Sequence, residues 1–171
     1  MDFECWLAER TTQAEQELSF RQIRQGVQAV QSDYICRMRG KALPNKPLEG
    51  RAKRAAFATF YAALHFRTVQ GWLEDEPLGT LRGIQKVTDL GCGTGTVGTA
   101  VALAIEPRPL VLGLDRSTWA IEETRQTYRS FRLKGKARRC TLPGGLPRGE
   151  PGELLVAGWS VNELKIGRAH V

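Results

Sequence analysis

The sequence has little with which to hold a metal or to cross-link itself. It carries four cysteines, Cys5, Cys36, Cys92 and Cys140, and no two of them stand at C-x-x-C spacing. Its two histidines, His65 and His170, form no cluster. A zinc or iron–sulfur site built from this chain alone is therefore excluded as an expectation. The scattered cysteines also do not resemble the disulfide framework of a small secreted domain. Met1-Asp2-Phe3-Glu4-Cys5 places acid where a signal peptide has base followed by an apolar run. No stretch reaches about 18 apolar residues, so no membrane helix is expected, and a cytoplasmic protein is the default. Internal repeats are absent. What is present is ordinary for a globular chain: 42% hydrophobic and 25% charged residues, which argues against disorder. The net charge of +7, from 25 Lys and Arg against 18 Asp and Glu, is compatible with a nucleic-acid partner without establishing one. A length of 171 residues suits one domain, or one domain with a helical extension.

Apolar residues from Leu18 to Met38 recur at three- and four-residue steps, which predicts a helix over about Thr12–Met38. Pro44 and Pro47 break it. A second helix is expected from Arg51 to Glu74, with Phe57, Phe60, Tyr61, Leu64, Val69, Trp72 and Leu73 on its apolar face. A linker over Asp75–Gly83 follows. From there the pattern alternates. Lys86–Leu90 reads as a strand, Thr96–Ile105 as a buried helix, and Leu110–Leu114 as a strand covered on both faces. Ser117 is placed to cap a helix over Thr118–Arg132. A third strand is expected at Ala137–Leu142 and a fourth at Glu153–Trp159, separated by a loop, Pro143–Gly152, with three Pro and four Gly. Strands alternating with helices predict an α/β fold with a parallel sheet and right-handed crossovers.

The chemistry gathers where the first strand ends. Asp89-Leu90-Gly91-Cys92-Gly93-Thr94-Gly95 leads straight into a helix. Glycines there let the chain turn sharply and let a ligand approach the main chain, whose amides and helix N-terminus face it. Asp115 closes the next strand about 20 residues on, where an acid accepts both hydroxyls of a ribose. Two cofactors fit this pattern. Gly93-Thr94-Gly95-Thr96-Val97-Gly98 matches the G-x-G-x-x-G dinucleotide fingerprint. The acid-x-Gly-x-Gly-x-Gly arrangement favours S-adenosylmethionine (SAM) instead. Asp89, at a buried strand end, is costly without a partner, and the ammonium group of SAM supplies one directly or through water.

Val87–Thr96 resembles the first motif of class I methyltransferases, Leu110–Asp115 the second, and Glu153–Leu164 the fourth-strand motif. The segment Ser160-Val161-Asn162-Glu163-Leu164 is similar to the methyltransferase-like family of the small ribosomal subunit, found in mitochondria and bacteria. That family's cysteine cluster has no counterpart here. The resemblance implies a Rossmann-like class I methyltransferase fold with an incomplete parallel sheet, order 3-2-1-4, after an N-terminal helical extension. It implies a SAM-dependent transferase acting on or associated with the small ribosomal subunit or its RNA. A non-catalytic SAM-binding assembly factor and a nicotinamide-dependent oxidoreductase are the alternatives. By the same resemblance Asp89, Leu90, Gly91, Cys92, Gly93, Thr94 and Gly95 surround the methionine end of SAM. Asp115 holds the ribose, Arg116, Thr141 and Leu142 border the adenine, and Trp159, Asn162 and Glu163 stand near the transferred methyl.

Several of these residues have a plain structural reading as well. Asn162 and Glu163 are catalytic candidates, or a helix cap and its first turn. Trp159 stacks on a substrate base or fills core. Arg51, Lys53 and Arg54 meet RNA phosphates or form a solvated helix face. Cys92 reads as a small packing residue. The expected organisation is a helical region over 1–83, a truncated SAM-binding domain over 84–164 and a non-native tail over 165–171. That tail, Lys165–Val171, matches the translation of a common sequencing adapter, so an interrupted frame near Leu164 is expected. With it comes an exposed apolar edge at the fourth strand.

Overall fold

A computed structural model of the chain describes residues 2–38, 48–75, 81–142 and 144–160. The first helix, α1, spans Phe3–Glu17. Asp2 caps it by accepting the Cys5 N–H at 2.9 Å. The single helix expected over 12–38 is thus two, because α2 begins afresh at Phe20 and runs to Met38. Leu18 is extended between them. Ser19 and Gln22 form a reciprocal capping box: the Ser19 N–H donates to Gln22 Oε1 at 2.8 Å, and the Gln22 N–H donates to Ser19 Oγ at 3.4 Å. That S-x-x-Q signal ends one helix and starts the next, overriding the apolar periodicity.

The next helical stretch has the expected extent, but its phase differs. Helix α3, Arg51–Ala56, passes through a π-helical turn, Phe57–Tyr61, into α4, Ala62–Asp75. A π turn inserts a residue into the helical repeat. Of the expected apolar face, Phe57, Tyr61 and Val69 are buried, joined by Ala58, Ala62, His65 and Phe66, while Phe60, Leu64 and Trp72 are 51%, 48% and 62% exposed.

Four parallel strands follow. They are β1 Lys86–Leu90, β2 Leu110–Asp115, β3 Gly135–Arg139 and β4 Glu153–Val156. Helix α5, Thr96–Leu103, joins β1 to β2, and α6, Thr118–Ser130, joins β2 to β3. The strand order is β3-β2-β1-β4, as expected. Register aligns Asp89 with Gly113 and Val156, and Asp115 with Arg139. Ser117 caps α6 by accepting the Ala120 N–H. Two strands differ from expectation. β3 begins two residues earlier and stops at Arg139, because its outward residues are Lys and Arg and hydropathy does not mark it. β4 stops at Val156, short of Trp159.

One core joins the helices to the sheet. Val87 and Val111 pack with Val97, Ala100 and Val101 of α5, Tyr128 of α6, and the aromatic group Phe3, Trp6, Phe66 and Phe131. Burying each such aromatic side chain contributes about 2–3 kcal/mol. Arg10 on α1 pairs with Glu123 on α6 and donates to Gln126 at 3.0 Å. The expected boundary at residues 83/84 lies in the connection before β1, and this core spans it.

Candidate functional site

All four strands point their C-terminal ends to one edge, where α/β sheets place their ligands. A cleft of about 1200 Å³, partly open to solvent, lies there. The glycine loop forms its floor. Gly91, Gly93 and Gly95 have φ of 70°, 55° and 76°, a left-handed series that only glycine adopts without strain. Protein neighbours crowd the same positions. A Cβ at Gly91 would lie 2.4 Å from Ser160 Cβ, and one at Gly95 would lie 2.8 Å from Thr124 Cγ2. The glycines therefore serve packing as well as the approach of a ligand.

Loop amides divide into two groups. Gly91 and Cys92 donate to the Leu114 carbonyl at 2.7 and 3.0 Å, and Gly95 donates to the Cys92 carbonyl at 2.7 Å. These bonds fix the turn. Thr94, Thr96 and Val97 line the cleft at the N-terminus of α5. Their main-chain N–H groups have no acceptor among the described residues, which leaves donors and the positive end of the helix dipole for a ligand.

Two carboxyl groups frame the loop. Asp115 lines the cleft; its Oδ2 accepts the Gly93 N–H at 3.0 Å and its Oδ1 the Ser117 N–H at 2.8 Å. Each oxygen keeps a second lone pair, so the group remains able to accept two hydroxyls. Asp89 is 1% exposed and points toward α5, where Oδ2 accepts the Gly98 N–H at 2.9 Å. Gly98 permits this approach, since a Cβ there would lie 3.0 Å from Asp89 Oδ2. Burial pushes the Asp89 carboxyl up to about 7, the Gly98 amide opposes the shift, and the charge of Asp115 adds to it.

The remaining sequence-derived candidates separate clearly. Gly91, Cys92, Gly93, Thr94, Asp115, Arg116, Thr141, Leu142 and Trp159 all line the cleft. Asp89, Leu90 and Gly95 do not. Asp89 and Leu90 are buried beneath the loop, and Gly95 is turned against Thr124 and Tyr128. Asn162 and Glu163 lie outside the described residues. The Cys92 thiol is buried against the Thr124 hydroxyl at 3.2 Å, and burial drives it well above the ordinary thiol range, which fits a packing role. Lys53 is tied to Asp33 at 2.6 Å, and the Arg54 guanidinium lies 5.9 Å from the Trp119 ring centroid and donates to the Leu48 carbonyl, so both are engaged within the fold. Among the described residues no group of three His, Cys, Asp or Glu side chains is placed to hold a metal.

The opposite wall was not foreseen. It comes from the helical region: Val30, Asp33 and Tyr34 of α2, Leu48, Phe57 of the π turn and His65 of α4. His65 stacks on Trp159 with ring centroids 4.0 Å apart and an interplanar angle of 13°. Trp159 has φ of 57°, an unusual conformation for a bulky residue. Burial holds the His65 imidazole down at about 4, hence neutral at physiological pH. The π turn is the signal that places Phe57 and His65 here, and it is not visible as a periodicity.

Residues 78–143, which include the glycine loop and Asp115, match the family model of the methyltransferase small domain. The parallel sheet and its flanking helices match a Rossmann-like methyltransferase fold. Two curated proteins share part of it. The ribosomal RNA large subunit methyltransferase G of Streptomyces avermitilis is 49% identical over 53 residues, covering 31% of this chain and 14% of that protein. The protein of the same name from Streptomyces coelicolor is 47% identical over 67 residues, covering 38% of this chain and 18% of that protein. The chain thus spans less than a fifth of either relative.

Proposed function

We propose that the chain carries the SAM-binding part of a methyltransferase that acts on ribosomal RNA. The observation that carries this reading is the pair of carboxyl groups about the loop: Asp115 in the cleft and Asp89 buried behind it. A pyrophosphate brought to this loop would add negative charge beside both. A positively charged cofactor suits this field, meeting Asp115 in the cleft directly and Asp89 only across the loop. The residues fit SAM: the N–H groups of Thr94, Thr96 and Val97 would receive its carboxylate, and Asp115 its ribose hydroxyls. Arg116, Thr141 and Leu142 would border the adenine.

When bound, SAM supplies an electrophilic methyl on a positively charged sulfur. The protein's part is alignment and exclusion of water, which needs no strong acid. Trp159, held by His65, would form the wall against which a base can stack. Asn162 and Glu163 remain the candidates for orienting the accepting atom.

The fourth-strand segment suggested the small ribosomal subunit, whereas the relatives' names specify the large subunit and favour its RNA as the substrate class. Such a substrate supports a cytoplasmic setting. The test is transfer of a labelled methyl from SAM to isolated large- and small-subunit RNA, using a version of the gene with its downstream sequence. Label in large-subunit RNA supports the reading, and label in small-subunit RNA redirects it. SAM binding without transfer to either favours a non-catalytic assembly factor.

A further inference from the structure

The chain's basic charge is not spread evenly. Residues 124–149 hold eight of its 25 Lys and Arg and no Asp or Glu. Removing those eight leaves 17 basic residues against 18 acidic ones in the rest of the chain, so this one segment accounts for the whole positive balance.

The fold gathers that segment along one border. It comprises the end of α6, the edge strand β3 and the loop beyond it. Arg129, Arg132, Lys134, Lys136 and Arg138 are all exposed, and none takes part in an ion pair among the described residues. By contrast, Arg125 donates to the Ala137 carbonyl at 2.7 Å and Arg139 to the Arg116 carbonyl at 3.1 Å, which pins the strand to its neighbours. Ala137 is buried on the α6 side of β3, so Lys134, Lys136 and Arg138 project from the opposite face by strand alternation. On the same face of β2, Leu110 at the end far from the cleft is 56% exposed while Leu114 at the cleft end is buried, and the described residues between β3 and β4 include no helix that would cover the open end.

From these observations we propose that the β3 border is a docking track for the phosphate backbone of an RNA strand leading into the cleft. Alternate residues of a strand stand about 6.6 Å apart, a separation comparable to that of successive phosphates. The track ends where it should for such a role: β3 runs directly into Cys140, Thr141 and Leu142, which line the cleft beside Arg116. Exposed cations also guard an edge strand against pairing with another sheet, but that need is met by one or two and explains neither the absence of acids over the whole segment nor its approach to the cleft. The proposal rests on the reading of the protein as an RNA methyltransferase.

The test uses the full chain and fluorescence anisotropy with a labelled ribosomal-RNA hairpin between 50 and 200 mM salt. The edge variant is K134Q/K136Q/R138Q. The control is R21Q/R24Q/R82Q, which removes the same charge from exposed positions elsewhere. Each lost phosphate contact lowers the slope of log K against log salt by about 0.7–0.9. The edge variant should therefore lose about 2–3 from the slope and at least tenfold in affinity at 150 mM salt, equally for unrelated RNA sequences. The control should keep the wild-type slope. K134R/K136R, which retains the charge, should bind as wild type. SAM affinity, measured separately, should be unchanged in all variants and reports that they fold. Equal losses in edge and control variants, or no RNA binding by wild type that still binds SAM, overturn the track. Absence of SAM binding by wild type overturns instead the functional reading beneath it.

Discussion

Replacing Asp89 with Asn isolates a carboxyl group buried without a counter-charge. Burial raises this carboxyl from 3.8 to about 7. The folded state therefore holds a proton that the unfolded state has released across that interval. The stability this contributes is fully present below pH 3.8 and is lost as pH rises through 7. Each unit is worth about 1.36 kcal/mol, so the full effect is about 4 kcal/mol, of which more than half falls between pH 5 and pH 8. His65 acts in the opposite sense. Held down at about 4, it contributes stability above pH 6.5 that is lost as pH falls toward 4, so the wild-type profile alone is not diagnostic. The difference between wild type and Asp89→Asn is diagnostic. Asn keeps an oxygen to accept the Gly98 N–H and does not ionise. Urea denaturation at pH 5, 6, 7 and 8 should show the variant gaining on wild type by about 2–3 kcal/mol across the series. A difference that stays constant with pH would refute the claim that Asp89 is buried without a counter-charge.

Three further outcomes follow from local geometry. Gly95→Ala should lower stability by about 2 kcal/mol or more in thermal unfolding, because φ is 76° and the new Cβ would lie 2.8 Å from Thr124. Ser19→Ala should cost about 1 kcal/mol and reduce helical circular dichroism at the α1–α2 break, as expected for loss of a capping box. His65→Ala should lose about 2–3 kcal/mol and alter Trp fluorescence through the lost stack on Trp159. His65→Phe should restore most of that and remove the acid-side loss between pH 6.5 and 4.

The sheet and the loop were legible because local chemistry determines them. Lys86–Leu90 is a short apolar strand stopped by glycines, and Ser117 caps α6 within one turn of where it stands. The order β3-β2-β1-β4 follows from successive right-handed crossovers plus a return across the first strand. The ends of β3 were not legible, since Lys136, Arg138 and Arg139 face solvent and carry no apolar signal. The helical region was legible as helix and not as a wall of the cleft. Which face of α4 is buried depends on the π turn at Phe57–Tyr61, and that turn is set by packing against partners distant in sequence. The pairing of His65 with Trp159 joins residues far apart along the chain, and no spacing rule links them. Asp89 was identified as a residue in need of a partner. Its bond to Gly98 shows where half of that need is met.

The most direct measurement is isothermal titration of the chain with SAM and with NAD, for wild type and for Asp115→Asn. The account predicts that SAM binds and NAD does not. It predicts that Asp115→Asn weakens SAM at least tenfold, about 1.4 kcal/mol, by removing one charged acceptor from the cleft. NAD binding in preference to SAM, or SAM binding indifferent to Asp115, would contradict it.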